Sequence, residues 1–196
     1  MKDSFKLTDE ELIRRFQAGD ETAFEEIVNR YKNRLMNFAY RFVLDREEAE
    51  DIVQDTFLKV YQNRYAYKEI AKFSTWIYTI TANLAKTILR KRRNRKLFFF
   101  SRLGPEDKDM DFPSNERDAQ SKIEGKFDEQ TIQKAIIKLP EHFRTAIILR
   151  DIQELSYEEI SNIINAPLGT VKSRINRARL KLREDLQEMR GNEKIN

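Results

Sequence analysis

Residues 155–186 read LSYEEISNIINAPLGTVKSRINRARLKLREDL, two short helices across a tight turn, the second strongly basic. This is the format of a helix-turn-helix, which places its second helix in a DNA major groove. Ser156 and Glu159 have the spacing of a reciprocal capping box that opens the first helix. Pro167 and Gly169 break the pattern where the second helix starts at a new angle. Leu168, Val171, Ile175, Ala178 and Leu182 then recur at steps of three and four, which makes one buried stripe. With about 100° per residue, Ser173, Asn176 and Arg177 point away from that stripe and Lys172 and Arg174 flank it.

The residue types suit that placement. Arg and Lys donate to guanine, Asn pairs with adenine, and Ser serves either. Lys172, Arg174, Arg177, Arg179, Lys181 and Arg183 carry more charge than base reading needs, so several are expected on phosphates.

Working outward, the helical period is nearly continuous from about Thr8 to Arg95 and resumes near Ile123. Between them, residues 104–118 hold six acids and two bases with Gly, Pro and Ser and no period, which reads as a linker. Few stretches alternate with period two. The expected fold is all-α: two helical domains at 1–96 and 123–190, joined by a flexible acidic linker at 97–122, with a tail at 191–196.

In the first domain, Asp20 is a good N-cap for a helix with the stripe Phe24, Ile27, Val28, Tyr31, Leu35, Phe38, Ala39 and Phe42. Asp45, with Glu48 three positions on, opens the next helix, whose inner face is Ala49, Ile52, Val53, Phe57 and Val60. Its outer face is unusual. Asp51, Gln54, Asp55 and Leu58 fall at i, i+3, i+4 and i+7, so a leucine sits among acids and an amide opposite the core. That suits a partner-protein surface, and by spacing alone it suits equally a solvated acidic face with one exposed leucine.

The last helix of this domain pairs a core stripe of Phe73, Ile77, Ile80, Leu84 and Ile88 with a second face of Trp76, Thr79, Asn83, Lys86 and Arg90. Aromatic rings beside cations meet the needs of single-stranded nucleic acid, stacked bases and a neutralised backbone. On spacing alone, Trp76, Phe73 and Tyr67 fit core or loop packing better. Six of the seven residues 90–96 are basic, and Leu97-Phe98-Phe99-Phe100 comes next, read as an apolar cap folding back on the domain.

Global composition excludes more than it assigns. The 37 basic and 33 acidic residues leave a net charge of only +4, so charge distribution matters more than its sum. With no cysteine there is no disulfide or thiolate metal site. No phosphate loop, nucleophile elbow or metal-spaced histidine set occurs, and the lone His142 has no clustered partner. The expectation is therefore no enzyme, no metal and no cofactor. No apolar run approaches a membrane span and Met1-Lys2-Asp3-Ser4 opens no signal peptide, so the expected location is the cytoplasm.

In combination these residues carry a family resemblance. An acidic Asp-Ile-Val-Gln-Asp-Thr-Phe helix, a Phe-Ser-Thr-Trp-Ile-Tyr segment, a basic helix end, a linker, Leu139-Pro140-Glu141-His142-Phe143-Arg144 and the helix-turn-helix occur in that order. The arrangement resembles the bacterial extracytoplasmic-function (ECF) sigma factors of the sigma-70 family, which keep only the domains called region 2 and region 4. The resemblance implies a promoter-specificity subunit of RNA polymerase that initiates transcription at minus-10 and minus-35 elements. Asp51, Gln54, Asp55 and Leu58 would then dock on the β′ clamp helices of core polymerase, whose β flap is a second expected contact. The loop from Tyr65 to Phe73, with Tyr67, Lys68, Phe73 and Ser74, would capture a flipped minus-10 base. Trp76, Asn83, Lys86 and Arg90 would support strand opening. Thr170, Lys172, Ser173, Arg174, Asn176, Arg177 and Arg179 fall where the family reads the minus-35 element. An anti-sigma factor is the further partner implied. Trp76-Ile77 stands where primary sigma factors carry paired tryptophans, which suggests weaker melting and stricter promoter choice.

The linker suits this assignment. Residues 97–122 span at most about 80 Å at about 3.3 Å per residue, enough for DNA sites two helical turns, about 70 Å, apart. The alternative class is a stand-alone helix-turn-helix regulator. Such proteins usually dimerise on palindromes, and no heptad zipper or dimer domain is visible.

Overall fold

The computed structural model describes residues 7–102 and 129–193, with side chains through 95 and 189. Residues 103–122 of the expected linker, 123–128 of the expected second domain, 194–196 of the tail, the N-terminal residues 1–6 and the side chains of Leu97 to Phe100 lie outside the described residues. Among the described residues every regular element is helical.

Helix α1 (Asp9–Gln17) opens on a capping box between Thr8 and Glu11 and buries Leu12, Ile13 and Phe16. It ends at Gly19, whose φ of +101° suits glycine, with the Asp20 amide donating back to the Arg15 carbonyl at 3.0 Å. Asp20 then caps α2 (Glu21–Val43), accepting from the amides of Thr22 and Ala23. The expected stripe of α2 is buried at Ile27, Tyr31, Leu35, Phe38, Ala39 and Phe42, while Phe24 and Val28 are half-buried.

Helix α3 (Arg46–Gln62) is capped by Asp45, which accepts from the Glu48 amide at 2.9 Å. The Glu48 carboxylate does not complete a box. It pairs with Arg92 at 2.7 Å, and Arg92 also donates to the Val43 carbonyl, which ties the helix carrying Arg92 to the corner between α2 and α3. A 3-10 turn (Arg64–Ala66) and a loop at 67–72 lead to α4 (Phe73–Arg102). The α4 backbone stays helical into the stretch expected to be linker. Its core is Phe73, Ile77, Tyr78, Ala82 and Ala85, all fully buried, so the buried band is wider than the expected stripe, whose Ile80, Leu84 and Ile88 are only half-buried.

The second unit comprises α5 (Glu129–Lys138), α6 (Glu141–Ile147), a π-helical turn (Ile148–Ile152) continuing α6, α7 (Tyr157–Ile164) and α8 (Leu168–Glu193). Leu139, Ala146, Ile148, Leu149, Ile160, Val171, Ile175 and Ala178 are buried at its centre. Burial of each large apolar side chain contributes about 1.5–3 kcal/mol, so these stripes dominate both units.

The two units pack together, with polar side chains at the seam. Tyr78 donates to Gln153 Oε1 at 2.6 Å, Arg41 donates to Gln133 Oε1 at 2.9 Å, and Gln133 returns a bond to the Arg41 carbonyl at 3.0 Å. The Arg144 guanidinium donates to the carbonyls of Ile137, Leu139 and Phe42, near the C-terminal ends of α5 and α2, where helix dipoles favour a cation.

Candidate nucleic-acid interface

The helix-turn-helix is built from α7 and α8. Glu159 Oε2 accepts from the Ser156 amide at 2.8 Å and Ser156 Oγ accepts from the Glu159 amide at 3.2 Å, so the expected capping box is present. The turn differs from expectation in one respect. Asn165, at φ 48°, makes the left-handed bend, whereas Gly169 lies inside the first turn of α8 with open space around it. Pro167 accepts from the amides of Thr170 and Val171 and so starts α8.

Val171, Ile175 and Ala178 of α8 are fully buried, while Leu168 and Leu182 at the ends of the stripe are half-buried. The opposite face exposes Lys172, Ser173, Asn176 and Arg177, with Thr170 and Arg174 half-buried at its edges. Ser173 Oγ donates to the Thr170 carbonyl at 2.9 Å, which leaves its lone pairs to accept. Arg179 stands apart. It pairs with Asp151 of the π turn at 2.5 Å, and that hydrogen-bonded carboxylate raises its pKa.

On α3, Asp51, Gln54 and Asp55 are exposed and Leu58 is 53 % exposed, on the side opposite the buried Ala49, Ile52, Val53 and Val60. Phe57 is half-buried rather than core, edge-on to Phe24 at 6.4 Å.

The residues expected at a minus-10 element divide. Phe73 is fully buried and Tyr67 nearly so, with the Tyr67 hydroxyl donating to the Ala71 carbonyl at 2.8 Å. Both pack at a tilt against Trp76, at centroid distances of 5.4 Å from Tyr67 and 5.9 Å from Phe73, and so support it instead of offering free ring faces. Burial, with Glu10 and Glu69 nearby, pushes the Tyr67 phenol up to about 12. Lys68, Asn83 and Arg90 are exposed, and Ser74, Trp76 and Lys86 are half-buried. Burial lowers the Lys86 ammonium below the usual lysine range; Glu141 opposes this and Arg174 adds to it.

The sigma-70 region 2 family pattern matches residues 27–95 and the sigma-70 region 4 pattern matches residues 129–182. The chain belongs to the ECF class of the sigma-70 family. It is 37 % identical over 186 residues to the ECF RNA polymerase sigma factor SigW of Bacillus subtilis, covering 90 % of this chain and 96 % of SigW. It is 35 % identical over 192 residues to the ECF RNA polymerase sigma-E factor of Haemophilus influenzae, covering 94 % and 98 % of the two chains. Among solved structures, it resembles the sigma factor RpoE of Bartonella quintana in complex with the anti-sigma factor NepR, at 29 % identity and a TM-score of 0.65 over 84 % of this chain and 96 % of that one. The fold is also shared with CnrH in complex with the cytosolic domain of CnrY, at 22 % identity and a TM-score of 0.67 over 90 % and 96 %.

In this sigma-family chain the two candidate DNA-reading units face one another across a cleft of about 690 Å³. Lys68, Ile70 and Trp76 line one side and Asn162, Asn165 and Pro167 the other. Lys72 pairs with Glu159 at 2.9 Å, so the loop before α4 touches the first helix of the helix-turn-helix. Sequence reasoning missed this juxtaposition, and also the contacts that α1 makes to the same loop. Their partners lie tens of residues away, and no local spacing marks them.

Among the described residues no cluster of His, Cys, Asp or Glu has the makings of a metal site, and no helix is long and apolar enough to cross a membrane.

Proposed function

We propose that the chain is a dissociable promoter-specificity subunit of bacterial RNA polymerase, acting in the cytoplasm and catalysing no bond change itself. The observation that carries this reading is α8: a fully buried Val171, Ile175 and Ala178 stripe fixes Lys172, Ser173, Asn176 and Arg177 outward on one capped helix. In this reading those four residues, with Thr170 and Arg174 at the edges, enter the major groove of the minus-35 element, and Arg179 reaches phosphate on leaving Asp151. The loop at 67–72 captures a minus-10 base beside Trp76, while Ser74, Asn83, Lys86 and Arg90 hold the opened strand. Phe73 and Tyr67 act beneath them as packing. Asp51, Gln54, Asp55 and Leu58 dock on the β′ clamp helices, and region 4 meets the β flap.

Two boxes about 70 Å apart cannot both be reached while Lys72 and Glu159 are in contact. The packed form is therefore the unbound state, and region 4 leaves region 2 when the protein engages a promoter with polymerase. An anti-sigma factor, as the related RpoE complex carries, would act on the same surfaces.

The test is the dependence of promoter recognition on core polymerase. Sequence-selective binding of a duplex promoter should need core enzyme, and tight selective binding by the chain alone would instead favour a stand-alone regulator.

A further inference from the structure

Helix α1 lies outside both matched segments, the first of which begins at residue 27 and the second at 129. Yet it reaches the loop at 67–72 at three points, through residues on one of its faces. Glu10, Arg14 and Gln17 stand at i, i+4 and i+7, so they form a row along the helix.

Gln17 Nε2 donates to the Arg64 carbonyl at 2.6 Å and to the Tyr67 carbonyl at 3.3 Å, holding both ends of the 3-10 turn that leads into the loop. Arg14 pairs with Glu69 at 2.7 Å, near the loop tip. Glu10 Oε1 accepts from the Phe73 amide at 2.9 Å, at the loop's far end. The residue before Phe73 is Lys72, which has no acceptor, so α4 lacks a side-chain cap of its own. Glu10 supplies the missing oxygen from another helix and sets a negative charge where the α4 dipole favours one.

The row is itself firmly placed. Its helix is capped by Thr8 and anchored by the buried Leu12, Ile13 and Phe16. Asp9 accepts from the Tyr31 hydroxyl at 2.6 Å and pairs with Arg30 at 2.8 Å, fixing α1 on α2. Arg64 also lies over the Phe16 ring, 5.1 Å from its centroid. In contrast, the loop side chains nearest the candidate DNA path are open, with Lys68 exposed and Ile70 91 % exposed.

We infer that Glu10, Arg14 and Gln17 are positioning residues that set the base preference of the loop at 67–72. The inference rests on the reading of that loop as the minus-10 capture element. A loop held at its start, tip and end presents one shape to an extruded base, and binding does not have to order it first. A loosened loop adapts to other bases and binds the preferred one less well, so discrimination falls at one position.

The experiment uses holoenzyme reconstituted from core RNA polymerase and the full chain, with a panel of forked promoter DNAs carrying single substitutions across the minus-10 element. Glu10→Ala and Gln17→Ala should each lower discrimination at one base position at least fivefold. Core affinity and the penalties for minus-35 substitutions should stay within twofold. Glu10→Gln keeps an acceptor oxygen and should restore wild-type discrimination. In the free protein, exchange of the Phe73 amide should quicken in Glu10→Ala and not in Glu10→Gln. Arg14→Ala breaks an exposed pair without touching the core, so it should fold normally and lower discrimination at the same position by itself.

Unchanged base preference in Gln17→Ala and Arg14→Ala, or an equal loss at every position, would overturn the inference. A Lys68→Ala, Ile70→Ala double variant separates the two readings. If it too leaves base preference unchanged, the capture-loop reading falls along with the inference; if it shifts the preference while the α1 variants do not, only the positioning role fails.

Discussion

The Tyr78 hydroxyl donates to Gln153 Oε1 over 2.6 Å, joining side chains 75 residues apart that are both buried at the seam between the two helical units. Gln153 stands directly after the π turn at Ile148–Ile152, and its Nε2 also reaches Asn37 Oδ1 of α2 at 3.4 Å. A π turn adds a residue to the helical circuit and rotates the chain beyond it; here that rotation turns Gln153 toward region 2.

Tyr78→Phe should therefore loosen the packed form without unfolding either unit. It leaves a buried Gln153 oxygen unsatisfied, at a cost of about 1–3 kcal/mol to closure, and each 1.4 kcal/mol is about tenfold in population. The chain has no cysteine, so dyes on cysteines introduced at Tyr65 and Glu188, both exposed, would report the separation cleanly. Energy transfer should drop in Tyr78→Phe while the helical circular-dichroism signal is kept. Unaltered transfer would show that this bond does not hold the seam.

Asp55→Arg should abolish binding to core polymerase, and Leu58→Ser should weaken it by about 1–3 kcal/mol, the scale of one buried interface leucine. Both side chains are exposed, so thermal stability should shift little. Wild-type affinity for core in Asp55→Arg would reject the docking face.

Arg177 and Arg179 should behave differently. Among the described residues Arg177 makes no ion pair, whereas Arg179 is held by Asp151. Arg177→Ala should cost about 1–3 kcal/mol at one minus-35 base pair and relax preference there. Arg179→Ala should weaken binding uniformly and flatten the salt dependence. Competition assays over a set of minus-35 substitutions read both outcomes.

High pH should unfold region 2 in a defined window. Burial, with the Asp9 carboxylate accepting its hydroxyl, pushes the Tyr31 phenol well above its usual value; burial raises Tyr78 and takes Tyr67 to about 12. Their folded pKa values exceed the unfolded value of about 10, so the stability they contribute is complete below about pH 10 and falls progressively as pH rises above it, with the share from Tyr67 gone by about 12. Ultraviolet titration should show these three of the seven tyrosines ionising together with loss of helix. Ionisation of all seven in one step near pH 10, with the helices intact, would contradict it.

The sequence was most legible where the reading depended on local chemistry. The Ser156 and Glu159 box and the Val171, Ile175 and Ala178 stripe are set by spacings of three and four residues, and these placed α8's outward face. The Asp51 to Leu58 face was visible for the same reason. Illegible features depend on distant partners. The burial of Phe73 and Tyr67 is not among them, since spacing put Phe73 on the α4 core stripe and favoured packing for Tyr67, and both lie against the nearby Trp76. Ile148–Ile152 has the composition of any buried α-helix, so nothing local announces its π turn. The Lys72 and Glu159 pair and the Glu10 cap on α4 join residues 87 and 63 positions apart, beyond any periodic signal.

The most direct measurement is in vitro transcription over a fragmented genomic library by core RNA polymerase from the source bacterium, with and without the purified chain. The expected result is a set of new start sites sharing two upstream boxes, lost when Asp55→Arg replaces the wild type. No new start sites, together with selective duplex binding by the chain alone, would contradict the assignment as a polymerase specificity subunit.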